Sequence, residues 1–291
     1  MSADLTIETL QTLPLPILPR DCDKEDRGSV LVVGGGADML GAVALAGLAA
    51  LRVGAGKLQM RAERRCVPTL AALALEARII EGRDGTGLAA LIAAIQSGAA
   101  LVIGPGMEER RRHRRLALDL LSARTDAVGV VDAGALPAPA EARAFATVCR
   151  GRAVVTPHAG EMAFMLGIGK AEVKADPEGA ARRAAACLQA VVVMKGATTY
   201  VVSPEGTAWR HEGGVAGLAT SGSGDVLAGV IGGLLARGAA PLTAAAWGVV
   251  AHAEAGAALS AGAPLGFLAR DLLDVLPQTL ARLSPEDPPS G

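Results

Sequence analysis

An α/β domain with a central, mostly parallel sheet and helices on both faces is the fold class the sequence predicts, and three features of its 291 residues predict it. Short β-branched runs end in glycine or a polar residue, and longer Ala/Leu-rich runs follow them. This alternation continues from about residue 28 to 283 with no low-complexity linker and no fixed-period repeat, so a single domain is expected there. With 51% hydrophobic and 20% charged residues, the chain can bury a full core.

The elements follow in order. Val30–Val33 is a strand running into Gly34-Gly35-Gly36, with a helix at about 40–53. Leu58–Met60 and Ala77–Ile80 are further strands, separated by a helix at about 64–75. Leu101–Ile103 enters Gly104-Pro105-Gly106, and a helix follows at about 108–123. Val128–Val131 ends at Asp132, Ala153–Val155 at Thr156-Pro157-His158, and Val191–Met194 at Lys195-Gly196. Polar residues and glycines thus collect at strand C-termini, the edge where ligands sit in parallel sheets. The stretch 191–211 differs, because turns at Lys195–Thr198 and Pro204–Gly206 predict antiparallel strands there. Helices at about 222–236, 241–260 and 268–282 close the domain. Residues 1–27, with their breakers and charged run, are expected as a partly ordered lead-in, and the Pro-rich residues 284–291 as a disordered tail.

Composition excludes several functions. The 28 Lys+Arg against 29 Asp+Glu leave a net charge of −1, which argues against a nucleic-acid coat or a polybasic membrane anchor. At 2%, aromatic residues are too scarce for base-stacking platforms. Cys22, Cys66, Cys149 and Cys187 form no CxxC pair and fit neither a zinc site nor a disulfide scaffold. No basic segment followed by an apolar one opens the chain, and the apolar stretches 226–236 and 242–260 are interrupted before they reach membrane length. A cytoplasmic protein with neither a nucleic-acid nor a membrane partner is expected.

Common catalytic signatures are missing. Gly56-Lys57 lacks the upstream glycine of a Walker A loop, and Gly34-Gly35-Gly36 lacks the last glycine of a dinucleotide fingerprint. The strongest motif is Thr220-Ser221-Gly222-Ser223-Gly224-Asp225 ahead of a long apolar helix. Exposed amides at a helix start, with glycines allowing close approach, bind anions, and the helix dipole is expected to keep Asp225 ionised as a proton acceptor. A Ser/Asp helix cap reads equally well from these residues alone. Lys195-Gly196-Ala197-Thr198-Thr199 offers a point charge, amides and hydroxyls to a phosphate, or is an ordinary turn lysine. His158 is either a substrate hydrogen-bonding group or part of a turn, and Glu161 can cap the helix that follows. Asp132 is an active-site acid or a cap, His113 and the EERRRHRR run (108–115) that holds it read as a solvated helix face, and His211 and His252 show no partner spacing.

In combination, these motifs resemble the ADP- or ATP-dependent NAD(P)H-hydrate dehydratases, a branch of the ribokinase-like fold. The resemblance covers roughly residues 27–283 through six segments in register: 28–57, VIGPG (102–106), VVDAGAL (130–136), TPHAGEMAFMLG (156–167), VVVMKGATTYV (191–201) and ATSGSGDVLAGVIGGLLARG (219–238). It implies repair of hydrated nicotinamide cofactor: phosphorylation of the 6-hydroxyl of the S epimer of NADH or NADPH hydrate, then loss of phosphate. It implies ADP as donor, giving AMP and phosphate, with Mg²⁺ escorting the nucleotide and no dedicated metal ligands in the protein. Asp225 is implied as the base and a substrate contact, with Gly222 and Gly224 lining the anion hole. Lys195, Gly196, Ala197, Thr198, Thr199 and Gly224 are implied to hold the nucleotide, and Ala42, Gly106 and His158 the damaged dinucleotide. A homo-oligomer, dimer or tetramer, is implied as well.

Three positions depart from the family pattern. Met107-Glu108 follow GPG in place of Leu-Gly, Gly134 stands where DADAL has its second acid, and Ser223 replaces the threonine of GTGD. About 27 residues precede the match, so the epimerase joined to many relatives is expected as a separate protein. The competing readings are a ribokinase-like kinase of a vitamin precursor, of hydroxyethylthiazole or hydroxymethylpyrimidine type, and a non-catalytic nucleotide-binding protein.

Overall fold

The computed structural model describes residues 2–19, 21–82 and 87–284. A two-residue strand β1 (Ala3–Asp4) and a short helix α1 (Ile7–Gln11) precede the alternating region. That region opens with β2 (Ser29–Val33), α2 (Leu40–Arg52), β3 (Lys57–Ala62), α3 (Val67–Leu73) and β4 (Ala77–Glu81). It continues through α4 (Leu88–Gln96), β5 (Ala100–Ile103), α5 (Arg111–Leu121), β6 (Gly129–Val131), α6 (Ala142–Cys149) and β7 (Ala153–Val155). Three helices, α7 (Ala159–Leu166), α8 (Lys170–Ala175) and α9 (Pro177–Leu188), lead to β8 (Val191–Met194). The chain finishes with β9 (Thr199–Val202), β10 (Ala208–His211), α10 (Ser223–Ala236), α11 (Pro241–Ser260) and α12 (Ala269–Leu283).

All the strands join one sheet in the order β1-β10-β9-β8-β7-β6-β5-β2-β3-β4. Pairing is parallel from β4 across to β8, then antiparallel for β8–β9 and β9–β10, as expected for 191–211. Successive strand side chains point to opposite faces, and both faces are covered. Val30, Val32, Val102, Val130 and Val154 therefore pack against the layer of α2, α10, α11 and α12. Leu31, Val33, Leu101, Ile103, Val131 and Val155 pack against α4, α5, α6, α7 and α9. The near-continuous apolar strands of the sequence are the signature of this double coverage.

The scarcity of aromatic residues has a structural counterpart where α10 crosses α2. A Cβ at Gly229 would stand 2.1 Å from the Ala46 carbonyl oxygen, and one at Gly233 would stand 2.5 Å from that of Ala50. The backbones of the two helices touch directly, which sets α10 deep against the sheet and fixes where its N-terminus emerges.

Several elements differ from expectation. The segment before residue 28, expected as a partly ordered lead-in, instead pairs β1 with β10, buries Leu5 and Leu10, and gives the Leu13 carbonyl to Trp247 Nε1 at 2.7 Å. Two apolar anchors in a breaker-rich segment leave no periodicity, so its docking is invisible locally. The helix after Gly106 starts at Arg111 rather than 108, because residues 107–110 run irregularly to an extended N-cap at Arg110. Of the tail expected at 284–291, residues 285–291 lie outside the described residues. Cys22, Cys66, Cys149 and Cys187 are free thiols.

Candidate active site

The sheet order reverses direction in sequence between β2 and β5, and in such sheets ligands lie beyond the strand C-termini at that reversal. On this edge β6, β7 and β8 present Asp132, Thr156 and Lys195 side by side. The Asp132 carboxylate is buried, with 3% of the residue exposed. Its Oδ1 accepts hydrogen bonds from Thr156 Oγ1 at 2.6 Å and Lys195 Nζ at 2.9 Å. Asp132 precedes a short 3₁₀ turn yet makes no capping hydrogen bond, so of its two sequence readings the structure favours the acid over the cap. Lys195 Nζ also lies 3.8 Å from Glu161 Oε2. Burial opposes the charge on Lys195, and the carboxylates of Asp132 and Glu161 outweigh it, holding the ammonium above the ordinary lysine value.

The motif at 220–225 begins α10. Gly222 is its N-cap with φ of +92°, a left-handed turn that favours glycine, and a Cβ there would strike Leu45 at 2.6 Å. The first-turn amides of Gly224 and Asp225 have no helical acceptor. At Gly224 a Cβ would meet only Lys195 Nζ, at 3.5 Å, so the missing side chain leaves space between a helix start and an ammonium. Amides, helix dipole and ammonium converge there as an anion hole.

Asp225 stands beside this hole, and its electrostatics correct the sequence expectation. Burial, reinforced by the negative charge of Asp132 and opposed by Lys195, pushes its carboxyl from 3.8 up to about 6. Desolvation therefore outweighs the helix dipole. At neutral pH the group is still mostly ionised, and it is more basic than an ordinary aspartate, which suits a proton acceptor.

Behind the hole, buried His252 on α11 lies 3.0 Å from the Ser223 carbonyl oxygen and 3.1 Å from Ser223 Oγ, both through Nε2. A carbonyl can only accept, so Nε2 carries the hydrogen. Burial pushes this imidazole down to about 4, which keeps it neutral. Sequence reasoning saw no partner for His252, and a contact across 29 residues between separate helices leaves no local signal.

The remaining expected residues fall around this centre. His158 caps α7: its Nδ1 accepts from the amides of Gly160 and Glu161, at 3.0 and 3.1 Å, while Glu161 Oε2 accepts from the His158 amide at 2.7 Å. With Nδ1 so occupied, the exposed Nε2–H is left to donate outward. His158 is thus both the helix start and an available donor, and its backbone bridges to Lys195. Gly196, Ala197 and Thr198 form the β8–β9 turn and Thr199 opens β9, with the turn backed by Gly214, whose Cβ would lie 2.7 Å from the Ala197 carbonyl oxygen. Lys195 leaves that turn and enters the carboxylate cluster. Ala42 and Gly106 meet one another instead, a Cβ at Gly106 falling 3.0 Å from that of Ala42. The first turn of α2 links the two groups, since Leu45, three residues on, abuts Gly222.

Gly134 joins two of the sequence departures. A Cβ at this position would stand 2.2 Å from the Glu108 carbonyl oxygen and 2.5 Å from that of Met107. The Met107-Glu108 backbone therefore occupies the space an acid at 134 would need.

In fold, a parallel sheet whose C-terminal edge faces the glycine-rich start of α10, the chain resembles a ribokinase-like superfamily protein of Enterococcus faecalis, with a TM-score of 0.81 at 22% identity. The chain belongs to the NAD(P)H-hydrate dehydratase family, whose model matches residues 30–278. It is 44% identical to the ADP-dependent (S)-NAD(P)H-hydrate dehydratase of Xanthomonas campestris, covering 96% of each chain. It is 38% identical to a bifunctional NAD(P)H-hydrate repair enzyme of Moorella thermoacetica, over 89% of this chain and 50% of that one. In structure it resembles the ADP/ATP-dependent NAD(P)H-hydrate dehydratase of Bacillus subtilis co-crystallized with ATP and Mg²⁺, with a TM-score of 0.83, 30% identity, and coverage of 97% and 99% of the two chains. These relatives favour the dehydratase over the vitamin-precursor kinase.

Proposed function

We propose that this chain is an ADP-dependent dehydratase of the S epimer of NADH or NADPH hydrate, with Asp225 as its base. The observation that carries the reading is the anion hole formed by the α10 N-terminus and Lys195, beside a carboxylate raised to about 6. Asp225 accepts the proton of the 6-hydroxyl, whose oxygen bonds to the β-phosphorus of ADP as the bond to AMP breaks. The amides of Gly224 and Asp225 and the Lys195 ammonium hold the charge on the transferring group. Phosphate then leaves C6, driven by the ring-nitrogen lone pair, and a C5 proton is lost. The balance is hydrate plus ADP giving dihydronicotinamide cofactor, AMP and phosphate.

Lys195 through Thr199, with Gly224, hold the nucleotide, and Ala42, Gly106 and His158 hold the dinucleotide. Asp132 is engaged by Lys195 and Thr156, and Glu161 by the α7 cap. Among the described residues no group of three His, Cys, Asp or Glu is arranged to hold a metal ion. Mg²⁺ escorting the nucleotide would be held chiefly by the phosphate oxygens and water, and would neutralise phosphate charge. The S epimer is supplied by a separate epimerase activity, and assembly as a homo-oligomer belongs to the same reading. Among the described residues no helix is long and apolar enough to cross a membrane.

The test uses purified protein, Mg²⁺, NADH hydrate and either ADP or ATP. Return of dihydronicotinamide absorbance with ADP, with AMP and phosphate appearing together, is the expected result. No return with either nucleotide, in folded protein that binds ADP, overturns the reading.

A further inference from the structure

A second cleft lies apart from Asp225. It holds about 640 Å³ and opens beyond the C-termini of β5, β2 and β3, at the reversal of strand order. Its walls are the glycine turn 34–36, the end of β3, the Gly106 turn and the start of α5, and Leu88, Leu91 and Met107 add apolar surface. Five arginines line it: Arg61, Arg65, Arg110, Arg112 and Arg115.

Three of them are already neutralised. Arg65 pairs with Glu63 at 3.2 Å, Arg115 with Asp119 at 2.9 Å, and Arg110 with Glu108. Arg61 and Arg112 have no carboxylate partner among the described residues. Arg61 donates to the Gly82 carbonyl at 3.4 Å, and Arg112 donates through Nε to His113 Nε2 at 3.3 Å. His113 is itself held by the Glu108 carbonyl at 2.8 Å from Nδ1. Among the described residues the terminal nitrogens of Arg112 donate to no protein acceptor.

We propose that this cleft receives the adenosine half of the dinucleotide and that Arg61 and Arg112 take its 2′-phosphate, making the NADPH hydrate the preferred substrate. The proposal rests on the dehydratase reading. The hydrated ring must reach Asp225, and the β8–β9 turn is taken by the phosphoryl donor, so the far half of the dinucleotide runs the other way, past Gly106 and Ala42. From the strand carrying Asp132 to the strand carrying Arg61 is three strand spacings, about 14 Å, a span suited to two nucleotides joined by a pyrophosphate. The apolar wall suits a base, and guanidinium groups suit a phosphate dianion.

The experiment compares kcat/KM for NADPH hydrate and NADH hydrate in wild type, Arg112→Gln and Arg61→Gln. Titration with adenosine 2′,5′-bisphosphate and with AMP is run beside it. Wild type is expected to favour the NADPH hydrate by about tenfold or more. Either substitution is expected to cut that ratio several-fold through KM, and to weaken the bisphosphate selectively over AMP. Equal efficiency with both hydrates in wild type, or an unchanged ratio and bisphosphate affinity in both variants, overturns the proposal. Absence of ADP-dependent turnover with either hydrate overturns the dehydratase reading instead, and the bisphosphate titration then still decides the cleft.

Discussion

Replacing Asp225 by asparagine should abolish turnover and stabilise the protein, and the two effects share one cause. The folded state holds this carboxyl at about 6 against an ordinary 3.8. A group whose proton is held more tightly in the folded state stabilises the fold while protonated and loses that contribution as pH rises through the folded value. At about 1.4 kcal/mol per pH unit, wild type above pH 7 carries a cost of about 3 kcal/mol for the buried charge. Asparagine keeps the shape and removes the charge. Urea unfolding at pH 8 should therefore show the variant more stable by up to about 3 kcal/mol, with the gain falling to about half by pH 5. Turnover should drop by about a hundredfold or more, the usual contribution of a positioned base, with ADP still bound. A variant less stable than wild type at pH 8, or a gain that does not change with pH, would refute the argument from burial.

Asp132→Asn removes a negative charge that raises Asp225 and leaves its burial intact. The acidic limb of kcat/KM, expected near pH 6 in wild type, should move down without reaching 3.8, and an upward shift would count against the cluster. His252, held at about 4 against an ordinary 6.5, binds its proton more readily when unfolded, so stability is lost as pH falls from 6.5 toward 4. His252→Gln should flatten that part of a urea stability profile relative to wild type. Gly229→Leu puts a side chain where the Ala46 carbonyl lies 2.1 Å from Cβ, and the urea midpoint should fall by an amount equivalent to about 3 kcal/mol or more. Gly41→Ala, where no atom lies within 4 Å of Cβ, should leave that midpoint near wild type.

The parallel strands β2, β5, β6, β7 and β8 were legible because each is a short β-branched run closed by glycine or a polar residue, a pattern that burial on both faces imposes. The helices α10 to α12 were legible from their length. The elements α6, α8 and α9 escaped, since their Ala- and Arg-rich segments carry a thin apolar stripe that only the partner layer completes. In the proposed site, Gly222, Gly224 and Asp225 could be read together because they fall within four residues. The pairing of Asp132 with Lys195 joins residues 63 apart, and it becomes visible only when β6 and β8 flank β7. Glu161 was read as a helix cap, which it is; its proximity to Lys195 needed the sheet.

Gly134 and the Met107-Glu108 turn make one change rather than two. Because the turn's carbonyls lie 2.2 to 2.5 Å from where a Cβ at 134 would be, an acid cannot be restored there while the turn stays in place. Nor would Leu-Gly at 107–108 alone bring the acid back. The order of any return is thereby set: the turn must move before a side chain can enter at 134, whereas glycine there is compatible with either turn.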